Sequence, residues 1–374
     1  MKIGFDAKRA FNNHRGLGTY SRETIRILTT LAPENQYHLF TPCVEMKFPY
    51  ASQKNVTVHE PGISFLGKLF QDYWRTYRIA WKADELKLDL YHGLSHELPV
   101  GIEKTKTRTV VTMHDLLFIK QPELFSKIDC AMYQKKYLRS CKVANHIIAV
   151  SEQTKRDLLE LTGTPEEKVE VVYQGCRPEF KMLVSETQKK SLKAKYRLPE
   201  NFLLNVGAFE TRKNQMLILK ALKAGNIDMP LVIAGRRTDF MKELQQYIAK
   251  NGLHSQVRLL PDFPENELPA LYQCATLFVF PSTYEGFGIP VVEAMTSGIP
   301  VIAATGSCLE ESGGPDSVYV NPNDEEELAA RIKELLDDEQ RRNSMMVKGL
   351  GYAQRFSDRS IADNLIRIYK NLMP

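Results

Sequence analysis

The chain has 374 residues, too long for one ordinary domain and suited to two. With 25% charged and 43% apolar residues it reads as soluble and globular, and no apolar stretch is long enough to span a bilayer. Residues 1–180 hold 26 Lys+Arg against 21 Asp+Glu, so the whole formal net charge of +5 lies in the first half. That bias favours anionic partners there: a membrane surface, a lipid diphosphate or an acidic glycan. Six cysteines are scattered without a Cys-x-x-Cys pair, which argues against a zinc site or a disulfide framework and for the cytosol.

Strands and helices alternate along the whole length, the mark of parallel sheets. The N-terminus has no signal-peptide pattern and enters a strand at Ile3–Phe5. Arg15–Tyr20 then leads into a helix over Thr19–Leu31, and Gly16 and Gly18 suit either a plain turn or a backbone approach to phosphate. Tyr37–Phe40 is the next strand. If helical, Phe65–Trp81 is amphipathic: Phe65, Leu66, Leu69, Phe70, Tyr73, Trp74, Tyr77 and Trp81 share one half-circle, opposite Lys68, Arg75, Arg78 and Lys82. Such a helix suits an anionic bilayer or the first-domain sheet, and core packing is the favoured reading. Leu88–Tyr91, Thr109–Met113, His146–Val150 and Lys168–Tyr173 continue the strands. His92, His96, His114 and Asp115 fall at or just past strand ends, where parallel sheets bind ligands. Ser151 reads as the cap of a helix over Glu152–Leu161. The polar, lysine-rich segment Pro178–Pro199 marks the boundary, giving domains over 1–180 and 181–356 and a terminal helix over 357–374.

The second half opens on the strand Phe202–Val206. Gly207–Asn214 comes next as a loop before a helix, and it carries Arg212 and Lys213 within reach of a phosphate. Pro230–Ala234 and Gln256–Leu260 are strands. Ala275–Ser282 is a buried strand, Glu285–Gly288 a glycine-rich loop, Val291–Thr296 a helix with Pro290 at its start, and Val301–Ala304 a strand. Gly286 and Gly288 let backbone approach a ligand closely, and the helix start favours a diphosphate. Carboxylates are poor phosphate ligands but good acceptors for sugar hydroxyls. Glu285 and Glu293 therefore fit hydroxyl-rich groups on either side of a diphosphate, which describes a nucleotide-sugar.

Tyr284–Glu293 resembles the Glu-x7-Glu motif of retaining glycosyltransferases with a GT-B fold, most like family four, and the similarity runs to about residue 360. The resemblance implies two Rossmann-like domains whose parallel sheets face across a cleft, with the terminal helix crossing back to the first. It implies that Glu285 contacts the donor sugar, that Glu293 holds the ribose, and that backbone around Phe287 and Gly288 meets sugar and diphosphate. Gly207, Arg212 and Lys213 resemble the family's Gly…Arg-Lys loop, whose cations neutralise the diphosphate; Thr211 stands where relatives often have proline. Gly16 and Gly18 look like its glycine-rich loop, and His114 matches a histidine near the donor sugar. The implied catalytic set is His114, Arg212, Lys213 and Glu285, without metal or cofactor. The implied enzyme is a hexosyltransferase, most like bacterial mannosyltransferases of surface-polysaccharide synthesis. Its donor would be GDP-mannose, a UDP-hexose being the alternative, and its acceptor a growing saccharide or lipid-linked glycan. A nucleotide-sugar epimerase is the other reading. The expected place is the cytoplasm, peripheral on the inner membrane face, with no nucleic-acid partner.

Overall fold

The computed structural model describes residues 1–62 and 67–374. The chain divides into two compact units, Met1–Gly175 with Phe356–Pro374, and Cys176–Arg355. The first division thus falls at Gly175–Cys176 rather than at residue 180. Side-chain packing explains the difference: Cys176 contacts Thr296, and the fully buried Phe180 stacks edge-on against Tyr272, both within the second unit.

The first unit holds β1 (Lys2–Asp6), β2 (Gln36–Phe40), β3 (Val56–His59), β4 (Leu90–Gly93), β5 (Arg108–Met113), β6 (His146–Ala149) and β7 (Val169–Val171). They form one parallel sheet in the order β3-β2-β1-β4-β5-β6-β7. The strand order reverses between β1 and β4, the kind of point where open α/β sheets bind ligands. The terminal helix Asp358–Asn371 belongs to this unit. Its Ile361, Leu365, Ile368 and Tyr369 enter the same core as Ile3, Phe5 and Leu28. Asp358 pairs with Arg26 at 2.7 Å, and Arg367 pairs with Glu170.

The second unit holds β8 (Leu203–Val206), β9 (Leu231–Gly235), β10 (Val257–Pro261), β11 (Leu277–Phe280), β12 (Val301–Ala304) and β13 (Val318–Val320), parallel in the order β10-β9-β8-β11-β12-β13. All residues of β8, β11 and β12 are buried, as expected of strands covered on both faces. Here the reversal lies between β8 and β11.

The segment Phe65–Trp81 departs from its expected packing. Phe65 and Leu66 lie outside the described residues. From Gly67 the backbone is helical, but Trp74–Arg78 is a π turn set between the α-helical segments Gly67–Tyr73 and Ile79–Glu85. A wider turn rotates the later residues about the helix axis. Ile79, Ala80 and Ala83 face the core, while Tyr73, Tyr77 and Trp81 are 51%, 52% and 57% exposed. Arg75, placed on the polar face by the α-helical period, instead turns inward onto Asp6 and Glu97. Of the apolar stripe, Trp74 packs against the core, whereas Tyr73, Tyr77 and Trp81 do not.

Candidate active site

The loops leaving β8 and β11 meet at the reversal point of the second sheet. After β8, Gly207 begins a loop that tightens into a short 3-10 turn over Thr211–Lys213, and Asn214 adopts a left-handed backbone before the helix Gln215–Ala224. After β11, Ser282–Glu285 runs beside it. The Thr283 N–H donates to the Arg212 carbonyl at 2.9 Å, so backbone joins the two loops.

Side chains complete the junction. Lys213 Nζ donates to Glu285 Oε1 at 2.5 Å, and an Arg212 guanidinium nitrogen stands 3.0 Å from Oε2. Arg212 also donates to the Tyr284 carbonyl at 2.8 Å and pairs with Glu210 at 3.3 Å. The buried Ser282 hydroxyl lies 2.6 Å from Glu285 Oε1, and Lys213 sits over the Phe280 ring at 5.0 Å. Burial opposes ionisation of Glu285, yet Lys213 and then Arg212 outweigh it and hold its carboxyl at about 2. Burial pulls Lys213 below the usual lysine value against the attraction of Glu285. The direction that governs is that of Glu285: two cations gripping one carboxylate keep it ionised.

Gly288 ends the loop with φ +96° and caps the helix Ile289–Thr296. A Cβ there would stand 2.5 Å from Leu309 Cδ2 and 2.9 Å from Ser312 Oγ, so both backbone shape and packing demand glycine. Pro290 lies in the first turn, as expected. Glu293, further along this helix, is half-buried and accepts from the Tyr272 hydroxyl at 3.0 Å. Burial pushes its carboxyl up to about 7, only partly countered by Arg177 and by that hydrogen bond. The two acids are thus differently prepared: one is locked ionised between cations, the other is poised near neutrality.

The structure brings Gly207, Arg212, Lys213 and Glu285 together, with Gly286, Phe287, Gly288 and Glu293 along the same loop and helix. Gly16, Gly18 and His114 belong to the first unit. Gly16 and Gly18 lie in the first turn of the helix Gly16–Leu31 rather than in a loop before it. A Cβ on Gly18 would be 1.8 Å from the Asn13 carbonyl oxygen, so that glycine lets the incoming chain cross the helix start. His114 is buried, with Nε2 2.9 Å from the Leu94 carbonyl, so that nitrogen carries the proton and Nδ1 is the acceptor of the neutral ring. Burial, helped by His96, lowers its pKa to about 3. Its backbone N–H donates to His96 Nε2 at 2.9 Å, and its ring meets Tyr20 edge-on at 4.5 Å. Among the described residues, no group of three or more His, Cys, Asp or Glu stands where it could hold a metal ion.

Ser282, Phe280 and Tyr272 were not visible as site residues. Ser282 follows a proline at a strand end, a place that gives no sign of which acid it will touch. Tyr272 arrives from the helix Leu268–Cys274, and only tertiary packing puts its hydroxyl on Glu293.

Two family models match the chain: "Glycosyltransferase Family 4" over residues 15–180 and "Glycosyl transferases group 1" over residues 186–349. The O-antigen chain mannosyltransferase B of Escherichia coli is 28% identical over the whole of both chains. The O-antigen chain mannosyltransferase RfbU of Salmonella typhimurium is 31% identical over 70% of this chain and 69% of its own. Among solved structures, sucrose-phosphate synthase of Thermosynechococcus elongatus aligns with a TM-score of 0.81 at 19% identity, covering 100% of this chain and 99% of that one. Anabaena HepE in complex with UDP and glucose aligns with a TM-score of 0.76 at 21% identity, covering 99% of this chain and 100% of that one. With its two Rossmann-like units, its paired family models and a relative alike over two thirds of both lengths, this chain belongs to the GT-B glycosyltransferases of family four.

Proposed function

We propose that the protein moves a hexose, mannose by preference, from GDP-mannose to a growing saccharide or lipid-linked glycan, with retention at the anomeric carbon. The observation that carries this reading is the Arg212–Lys213–Glu285 junction at a reversal point of the sheet order. As the sugar leaves, negative charge grows on the diphosphate. One cation about 4 Å away is worth on the order of 4 kcal/mol at an effective dielectric near 20, and about 1.4 kcal/mol is tenfold in rate. Two such cations supply an effect of the size catalysis requires. Glu285 holds them in place and offers its carboxylate to sugar hydroxyls, while Glu293 takes the ribose. No step needs a metal ion or a cofactor. The choice of mannose follows the mannosyltransferases named among the relatives.

The acceptor meets the first unit, which carries the positive excess. The exposed Tyr73, Tyr77 and Trp81, with Arg78 5.0 Å and Lys82 6.0 Å from the Trp81 ring, support peripheral contact with an anionic membrane. No helix among the described residues is long and apolar enough to cross a membrane. Incubating purified protein with a panel of GDP- and UDP-hexoses and a manno-oligosaccharide tests the reading. GDP release with GDP-mannose, an α-linked product and full activity in EDTA are the expected results. A UDP-hexose as the one active donor, or activity that EDTA abolishes and magnesium restores, overturns it.

A further inference from the structure

The first sheet has its own reversal point, between β1 and β4. A cavity of about 60 Å³ lies there, lined among others by Asp6, Arg75, Tyr91, Glu97, Lys136 and Arg139. Asp6 ends β1, Tyr91 is on β4, and Glu97 follows β4. The π turn delivers Arg75 into the gap between them.

The cavity is built from paired charges. Arg75 contacts Asp6 Oδ2 at 2.5 Å through one terminal nitrogen and at 3.1 Å through Nε. Its other terminal nitrogen donates to Glu97 at 2.7 Å. Lys136 stands 3.6 Å from the second Glu97 oxygen. Asp6 is 4% exposed and Tyr91 0%, whereas the Lys136 and Glu97 side chains reach solvent at 45% and 26%. Tyr91 is therefore at the closed end and Lys136 at the mouth. The Tyr91 hydroxyl has no hydrogen-bond partner among the described residues. Burial and then Asp6 raise its pKa, so it stays a protonated donor.

A buried donor without an acceptor is costly and marks a place where another group belongs. The charges say what kind. A phosphate would face Asp6 and Glu97, and a cation would face Arg75 and Lys136. A neutral polyol satisfies both signs: its oxygens accept from Tyr91 and Lys136, and its hydroxyls donate to the carboxylates. The space admits the edge of one sugar ring and excludes a nucleotide.

We propose that this pocket holds the hydroxyl-bearing edge of the acceptor's terminal sugar, with Tyr91 and Lys136 as donors and Asp6 and Glu97 as acceptors. The proposal rests on the reading of the chain as a hexosyltransferase with a glycan acceptor. Calorimetric titration of the full chain with α-mannobiose tests it in wild type, Tyr91→Phe and Lys136→Ala. Tyr91→Phe breaks no hydrogen bond within the protein, so it should melt no lower than wild type yet bind α-mannobiose about tenfold more weakly. In transfer assays its acceptor KM should rise while its KM for GDP-mannose stays put. Lys136→Ala should weaken α-mannobiose several-fold, with GDP affinity unchanged as the control. Equal α-mannobiose affinity in all three proteins, or no binding by a wild type that turns over GDP-mannose, overturns the pocket and leaves the transferase reading standing. A wild type that turns over no nucleotide-sugar removes the reading beneath the proposal, and the proposal with it.

Discussion

Glu285 and Lys213 are close enough that changing either one changes the other's environment. Lys213→Ala should lower kcat at saturating donor by about 10²- to 10³-fold, the usual cost of removing one preorganised electrostatic group; undiminished turnover would refute the assignment. Glu285 also makes a stability prediction. Its carboxyl is held at about 2, below the ordinary 4.5. The stability it contributes is therefore fully present above about pH 4.5 and lost as pH falls toward 2. Urea unfolding should find Glu285→Gln less stable than wild type at pH 5, with the gap shrinking at pH 3. Glu293 has the opposite bias, with its carboxyl pushed up to about 7. Ribose hydroxyls that donate to the ionised carboxylate would lower that value, so binding releases a proton and affinity rises with pH. GDP should bind about tenfold more tightly at pH 8 than at pH 6, and Glu293→Gln should flatten the dependence.

At the level of the element, the strand–loop–helix from Leu277 to Thr296 was readable because every local signal agreed: an apolar β-rich run, a proline, glycines, then a proline in the first helical turn. Gly288→Ala tests that agreement. Left-handed backbone and the clash with Leu309 and Ser312 together should cost about 1–3 kcal/mol, seen as a fall in Tm, with weaker GDP binding. Two strands escaped notice for physical reasons. β3 is an edge strand with none of its four residues buried, and β13 is an edge strand whose middle residue is partly exposed, so neither offers the fully buried apolar run seen in β11 and β12. Arg75 escaped for another reason. A helical wheel assumes 3.6 residues per turn, and the π turn at Trp74–Arg78 breaks that assumption where it matters. Side chains recruited across the fold, such as Tyr272 onto Glu293, leave no local pattern at all.

On the scale of the whole molecule, the alternating pattern was enough to foresee two parallel sheets, while the exact division at Gly175–Cys176 depended on where Phe180 packs. The chain's last residues are part of the first unit's core. Ending the chain at residue 355 should leave the faces under Ile361, Leu365, Ile368 and Tyr369 bare. Limited proteolysis should then cut within residues 1–175 while residues 176–355 stay resistant; resistance throughout would show that the helix is dispensable. The same feature bears on synthesis. A ribosome releases residues 1–175 early, yet the piece that seals them emerges only after residues 176–355, a contiguous stretch that forms a compact unit of its own. The later-made unit should therefore be able to fold first, while the earlier one stays open until residues 356–374 have emerged.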